Sequence, residues 1–261
     1  MAENNFNENC REAVCIDAGR VYDSCCDRDC LEDLRCYLTS QDQNMIQSAV
    51  NVRLKNAEVL NVYVDVEQVN FNKGFYSCDL TFFFLVELDV FTSQNTLPNI
   101  VKGICTFSKK VILYGGEGNA KIFSNITSLK NPDTQLNATT NLPKCVVQTV
   151  SPVPLSAKIC KKITCCENVC CIPDCICRAV GNNICTTLDS GENAIYVTLG
   201  LFTVVQLIRN VQMLVPVYDF CIPEKQCDCN CGAVTPCDVF SKIDFPTSDF
   251  FPPSSKDDNC C

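Results

Sequence analysis

The chain has 261 residues, 24 of them cysteine and none histidine or tryptophan, with a net charge of −9. Without histidine there is no Ser-His-Asp triad, no Cys-His dyad, no His-ligated zinc and no histidine pH switch. The 30 acidic side chains outnumber the 21 basic ones and no basic cluster occurs, so neither a nucleic acid nor an anionic membrane is an expected partner.

In chain order, Asp29-Cys30-Leu31-Glu32-Asp33-Leu34-Arg35 reads as a short helix capped by Asp29, and residues 43–50 as a second. Val62, Val64 and Val66 alternate with Tyr63, Asp65 and Glu67, the period of two of a half-buried strand. The turn signal Asn72-Lys73-Gly74 follows. Then Cys78, Leu80, Phe82, Phe84, Val86, Leu88 and Val90 line one face of the next run, so the pair reads as an antiparallel hairpin or meander. A third strand is expected from Ile104 to Tyr114. It stops at Gly115-Gly116-Glu117-Gly118, which lacks the Lys-Ser/Thr of a phosphate loop and is read as a turn.

Residues 120–126 suggest a fourth strand and 131–143 a polar surface loop. A short strand at 146–150 precedes Pro152 and Pro154, which suit an edge or a break. Tyr196 to Ile208 and Val211 to Tyr218 read as two long strands around Arg209-Asn210, and residues 245–261 as an extended tail. Val outnumbers Ala by 27 to 11, the balance of a β protein. The expected fold is mainly β: an antiparallel β-sandwich or barrel-like domain with cysteine-rich loop segments and little helix. The expected divisions are a cysteine-rich segment at 1–39, a β-rich domain at 40–159, a cysteine-rich insert with the two long strands at 160–237, and the tail at 238–261.

Cysteine at about 9 % belongs to small disulfide scaffolds, yet this chain is long enough to bury a sizeable core of its own. The cysteines therefore do not stand in for a missing core. Cys-x-x-Cys, the spacing of zinc ribbons and thioredoxin-type sites, occurs nowhere. Present instead are Cys-Cys at 25/26, 165/166, 170/171 and 260/261, and Cys-x-Cys at 175/177, 227/229 and 229/231. Such spacings suit metallothionein-like thiolate clusters, but 15 Phe and 7 Tyr on a β scaffold are not a metallothionein composition.

Two adjacent cysteines in an extended segment point to opposite faces and take different partners. Each intrachain bridge stabilises by about 2–4 kcal/mol, and a domain with a core needs few of them. The surplus fits bonds between chains or a product that must survive heat, solvent and proteases, and the even count also permits all 24 to pair within one monomer. The disulfide or cross-link candidates are Cys10, Cys15, Cys25, Cys26, Cys30 and Cys36; Cys160, Cys165, Cys166, Cys170, Cys171, Cys175, Cys177 and Cys185; Cys221, Cys227, Cys229, Cys231 and Cys237; and, on the tail, Cys260 and Cys261, the pair best placed to join neighbours. The isolated Cys78, Cys105 and Cys145 are expected as intradomain bridges or buried thiols, Cys78 because it sits on an apolar strand face. Lys161 and Lys162 beside Cys160, and Lys144 beside Cys145, are the cations a reactive thiolate needs, but exposed lysines near bridged cysteines are the expected reading. No catalytic residue, cofactor or metal site is assigned.

Cysteine usage points to an oxidising destination, whereas the opening residues are polar and acidic, unlike a secretory leader. The most apolar stretch, 194–217, is interrupted by Gln206, Arg209, Asn210 and Gln212, so no membrane span is expected. Three resolutions are open: a leader removed beforehand, synthesis inside a cell followed by oxidation after lysis, or thiols that stay reduced and bind metal.

The runs Cys10-Arg11-Glu12-Ala13-Val14-Cys15-Ile16-Asp17, Asp23-Ser24-Cys25 and Asp29 to Arg35, with Tyr218-Asp219-Phe220-Cys221-Ile222-Pro223, resemble the cysteine-rich exosporium proteins of clostridial spores. That resemblance implies a non-enzymatic protein, made in the mother cell without a leader, that assembles with itself into a two-dimensional crystalline layer on the spore. Other spore-layer proteins are possible partners. A metal- or thiol-storage protein and a filamentous spore appendage are the alternatives.

Overall fold

The computed structural model describes residues 12–93, 97–122, 139–161, 172–181, 184 and 191–217. The chain divides into two compact units. One covers 17–211; the other joins 1–16 with 212–261, of which 12–16 and 212–217 are described. The described residues are mostly strand, in antiparallel sheets. They form β1 (Glu12–Cys36), α1 (Ser40–Ile46), β2 (Asn51–Gln68), β3 (Phe75–Phe91), β4 (Asn99–Tyr114), β5 (Lys121–Ile122), β6 (Thr139–Thr140), β7 (Lys144–Thr149), β8 (Val153–Lys161), α2 (Asp174–Cys177) and β9 (Asn193–Val217).

Strands β2, β3 and β4 form a three-stranded sheet with β3 in the middle. The β2–β3 hairpin closes where expected, with Gly74 at φ 81°. A Cβ there would lie 2.6 Å from the Tyr114 ring, so both backbone conformation and space call for glycine. In the second sheet β9 is central. It has β1 on one side, while β7 and β8 follow one another along its other edge, pairing with 203–208 and 193–200 respectively.

The core follows from alternation on the two central strands, although Phe83 on the opposite face of β3 is buried too, in a second small cluster. Cys78, Leu80, Phe82, Phe84, Val86, Leu88 and Val90 of β3 are buried, and so are Ile195, Val197, Leu199, Leu201, Thr203, Val205, Leu207 and Arg209 of β9. The apolar members of both rows belong to one hydrophobic cluster. Phe82 and Phe84 stack with ring centroids 6.1 Å apart. Burying each such ring contributes roughly 1.5–3 kcal/mol.

Several expectations change here. Residues 29–35 are not helical but belong to β1. Leu31 and Leu34 are three apart and both pack against the core, which imitates a helical face. The alternation breaks at Asp33, whose φ of 55° interrupts the extended backbone. Before it, Cys25, Asp29 and Leu31 are the less exposed positions; after it, Leu34 and Arg35 are half-buried and Cys36, Tyr37 and Leu38 are all buried. The second helix begins earlier than expected, at Ser40, because Thr39 caps it: its hydroxyl oxygen accepts from the Asp42 N–H.

The two expected strands are one continuous strand over the described residues, Asn193–Val217. Arg209 does not turn the chain but occupies an inward position of β9. Its guanidinium donates to Tyr76 Oη at 3.0 Å, the Gly118 carbonyl at 2.9 Å and the Glu117 carbonyl at 3.4 Å. It thereby pins the 115–118 turn, which is a turn as expected, with Gly116 and Gly118 at positive φ. Pro154 lies within β8, which among the described residues pairs only with β9, so it takes the edge position, one of the two places expected of it. The β8–β9 register slips between Pro154 and Ser156, the irregularity that lets an edge strand accept proline. Strand β4 starts five residues before the expected Ile104. Of the fourth expected strand, 121–122 pair with 139–140, and 123–126 lie outside the described residues, as does the tail.

Candidate functional site

Eleven cysteines fall among the described residues, all as thiols: Cys15, Cys25, Cys26, Cys30, Cys36, Cys78, Cys105, Cys145, Cys160, Cys175 and Cys177. Cys10, Cys165, Cys166, Cys170, Cys171, Cys185, Cys221, Cys227, Cys229, Cys231, Cys237, Cys260 and Cys261 lie outside them. Strand β1 sorts its thiols by face. Cys25 is half-buried against the core while Cys26 is exposed, the divergence expected of neighbours on a strand. Cys15 and Cys30 are also exposed, and Cys36, at the end of the strand, is buried. Cys26 opens on a shallow groove shared with Phe202, Val150 and Val204.

Acidic side chains surround this face. Lys109 of β4, with 11 % of its side chain exposed, reaches across to β1 and holds Asp29 at 2.6 Å and Asp27 at 3.3 Å. It also donates to Thr203 of β9 at 2.9 Å. One cation thus ties three strands beside Cys25. Burial raises the Cys25 thiol above its ordinary range, against the pull of Lys109. At the far end of the same strand pair, Tyr114 N–H donates to Asp23 at 2.9 Å.

Two thiol pairs lie inside the domain. Cys36 is 3 % exposed and Cys105 is fully buried; the two thiols hydrogen-bond, and burial first, then Cys36, push Cys105 well up. Cys78, also fully buried, hydrogen-bonds Cys145 of β7, which raises Cys78 and lowers Cys145. Cys25 is near enough to Cys145 to act on it electrostatically. The group that activates Cys145 is thus the Cys78 thiol, 67 residues away, rather than the adjacent Lys144. The three isolated cysteines are buried or half-buried as expected, and their partners could be found only through strand register.

The remaining described thiols sit apart. Cys160 is half-buried on β8, opposite Ala194. Cys175 and Cys177 flank one turn of α2: Cys175 is exposed with its sulfur 3.2 Å from Tyr63 Oη, and Cys177, raised chiefly by burial, donates to the Ile172 carbonyl. Among the described residues no group of three or more Cys, Asp or Glu converges on a metal-sized position. Nor is any helix among them long and apolar enough to cross a membrane.

No protein-family model matches the chain, and no solved structure matches it. Among curated proteins it is similar to Exosporium protein A of Clostridium sporogenes, at 25 % identity over 262 residues. The alignment covers 94 % of this chain and 76 % of that protein. Along nearly its whole length, then, the chain is similar to a clostridial protein named for the exosporium.

Proposed function

We propose that this chain is a structural protein of the bacterial spore surface that assembles with copies of itself into a two-dimensional lattice reinforced by disulfides between chains. The layer resists chemical attack and limits the passage of large solutes. The protein acts without catalysis or cofactor, is made in the mother-cell cytoplasm and becomes oxidised as the layer matures. Neighbouring spore-layer proteins are possible further partners.

The observation that carries this reading is the display of Cys26 and Cys30 at the surface of β1 within the 17–211 unit. A β-sandwich with its own continuous core stands behind them. Thiols held outward on a rigid strand suit bonds to another molecule, because reaching one requires no unfolding. Similarity to a protein named for the exosporium supports the location. A lattice needs at least two distinct contact types; the thiol-bearing strand supplies one.

Electron microscopy of the purified full chain tests the proposal. Ordered sheets that disperse in strong reductant are expected. Filaments would favour a spore appendage, and dispersed monomers that bind several zinc or copper ions would favour the storage reading; either result overturns the lattice.

A further inference from the structure

We propose that this chain closes two specific intrachain disulfides, Cys36–Cys105 between β1 and β4 and Cys78–Cys145 between the two sheets, by exchange with a small-molecule disulfide. The inference stands whether or not the chain forms a lattice.

The first pair is fixed by register. Tyr37 and Ile104 exchange both backbone hydrogen bonds, at 2.8 and 2.9 Å, and form an antiparallel bridge. One step along, Cys36 therefore faces Cys105 as a non-hydrogen-bonded pair. Such pairs hold their Cα atoms about 4.5 Å apart, within the span of about 4.4–6.8 Å that disulfides accept. The neighbour on the same face of β4 is Gly103, and its missing side chain makes the room. A Cβ at 103 would lie 2.2 Å from Cys36 Sγ. The second pair joins the inward face of β3 to β7. Cys78 belongs to the buried cluster, Cys145 packs against it, and their sulfurs are in hydrogen-bond contact.

The two pairs differ in access, and so in the order in which they close. Cys145 is half-buried and its thiol is lowered by Cys78, which favours the thiolate that begins exchange. That thiolate attacks one sulfur of the small disulfide, forming a mixed disulfide and releasing one small thiol. Cys78 then gives up its proton and attacks Cys145 Sγ, forming the internal bond and releasing the second small thiol. Two protein thiols are oxidised, one small disulfide is reduced, and the protons end on the released thiols. Cys36 and Cys105 are both shielded from solvent, so their exchange takes place before the β1–β4 contact closes. Together the bonds withdraw four thiols from intermolecular chemistry and leave the exposed ones on β1.

The test is a disulfide map of the full chain, refolded with oxidised glutathione, blocked with iodoacetamide and digested without reductant. Both linked peptides are expected. Alkylated Cys36, Cys78, Cys105 or Cys145, or a Cys25–Cys145 bond in place of Cys78–Cys145, overturns the assignment. Oxidised glutathione added to the already folded, reduced chain is expected to yield the Cys78–Cys145 peptide well before Cys36–Cys105; equal rates contradict the order. In Cys78→Ser, Cys145 is expected to change from protected to alkylated while the Cys36–Cys105 peptide remains, and continued protection of Cys145 counts against the pairing.

Discussion

Replacing Gly103 with alanine puts one methyl group at the most crowded of the described glycines. An ideal Cβ at this position meets Cys36 Sγ at 2.2 Å, Leu38 Cδ2 at 2.7 Å and the Tyr37 carbonyl oxygen at 3.2 Å. None of these can move cheaply. Cys36 is buried against Cys105, Leu38 is fully buried, and the Tyr37 carbonyl accepts the Ile104 N–H. Overpacking of this kind costs about 1–3 kcal/mol, and two contacts below 3.0 Å to buried atoms argue for about 3. Alanine regains about 0.5–1 kcal/mol of strand stability over glycine, which leaves a net loss of roughly 2 kcal/mol. For a domain of about 150–250 residues, 1 kcal/mol moves Tm by about 2–4 °C. Thermal unfolding followed by far-UV circular dichroism, in reductant so that no bridge contributes, should therefore show Tm lower by about 4–8 °C. Gly200→Ala is the control, because its Cβ meets nothing closer than 3.5 Å, and its Tm should hold or rise slightly. A Gly103→Ala Tm equal to or above that of the parent would refute the packing described between β1 and β4.

Three further outcomes are expected. Phe82→Ala removes a fully buried ring from between Phe84 and Phe107 and should cost about 3–5 kcal/mol by urea denaturation in reductant. The reduced protein should also lose stability as pH rises above about 8.5, where unfolded thiols begin to ionise. Cys78 and Cys105 keep their protons in the folded state well above that value, so the native chain binds more protons there than the unfolded one. Cys25 and Cys177, raised by burial, add to that loss while Cys145, lowered, works in the opposite sense, which leaves a net loss of at least roughly 1 kcal/mol per pH unit; urea midpoints at about pH 8 and about pH 10 measure it, and an oxidised sample should show a shallower slope. Finally, Cys26→Ser with Cys30→Ser should cut the intermolecular cross-linked fraction while shifting stability by no more than about 0.5 kcal/mol, since both side chains are exposed.

What the sequence revealed depended on how local its cause was. The alternation from Cys78 to Val90 marks β3 because every second residue meets the same core, and Asn72-Lys73-Gly74 marks its hairpin because the turn needs a glycine at positive φ. The opposite facing of Cys25 and Cys26 follows from strand geometry alone. Strand β1 was hidden by the break in alternation at Asp33, which leaves Leu31 and Leu34 at a helix-like spacing. Arg209 resembled a turn because it is charged. Its burial rests on Tyr76, Glu117 and Gly118, all more than 90 residues away. Both thiol pairs were invisible for the same reason: register brings Cys36 to Cys105 and sheet packing brings Cys78 to Cys145, and neither is a spacing along the chain.

The central claim is that this chain joins copies of itself through disulfides, and denaturing electrophoresis of boiled, assembled protein with and without strong reductant tests it most directly. The account predicts large species that collapse to a single band at 28.9 kDa only on reduction. A single monomer band in both lanes contradicts it.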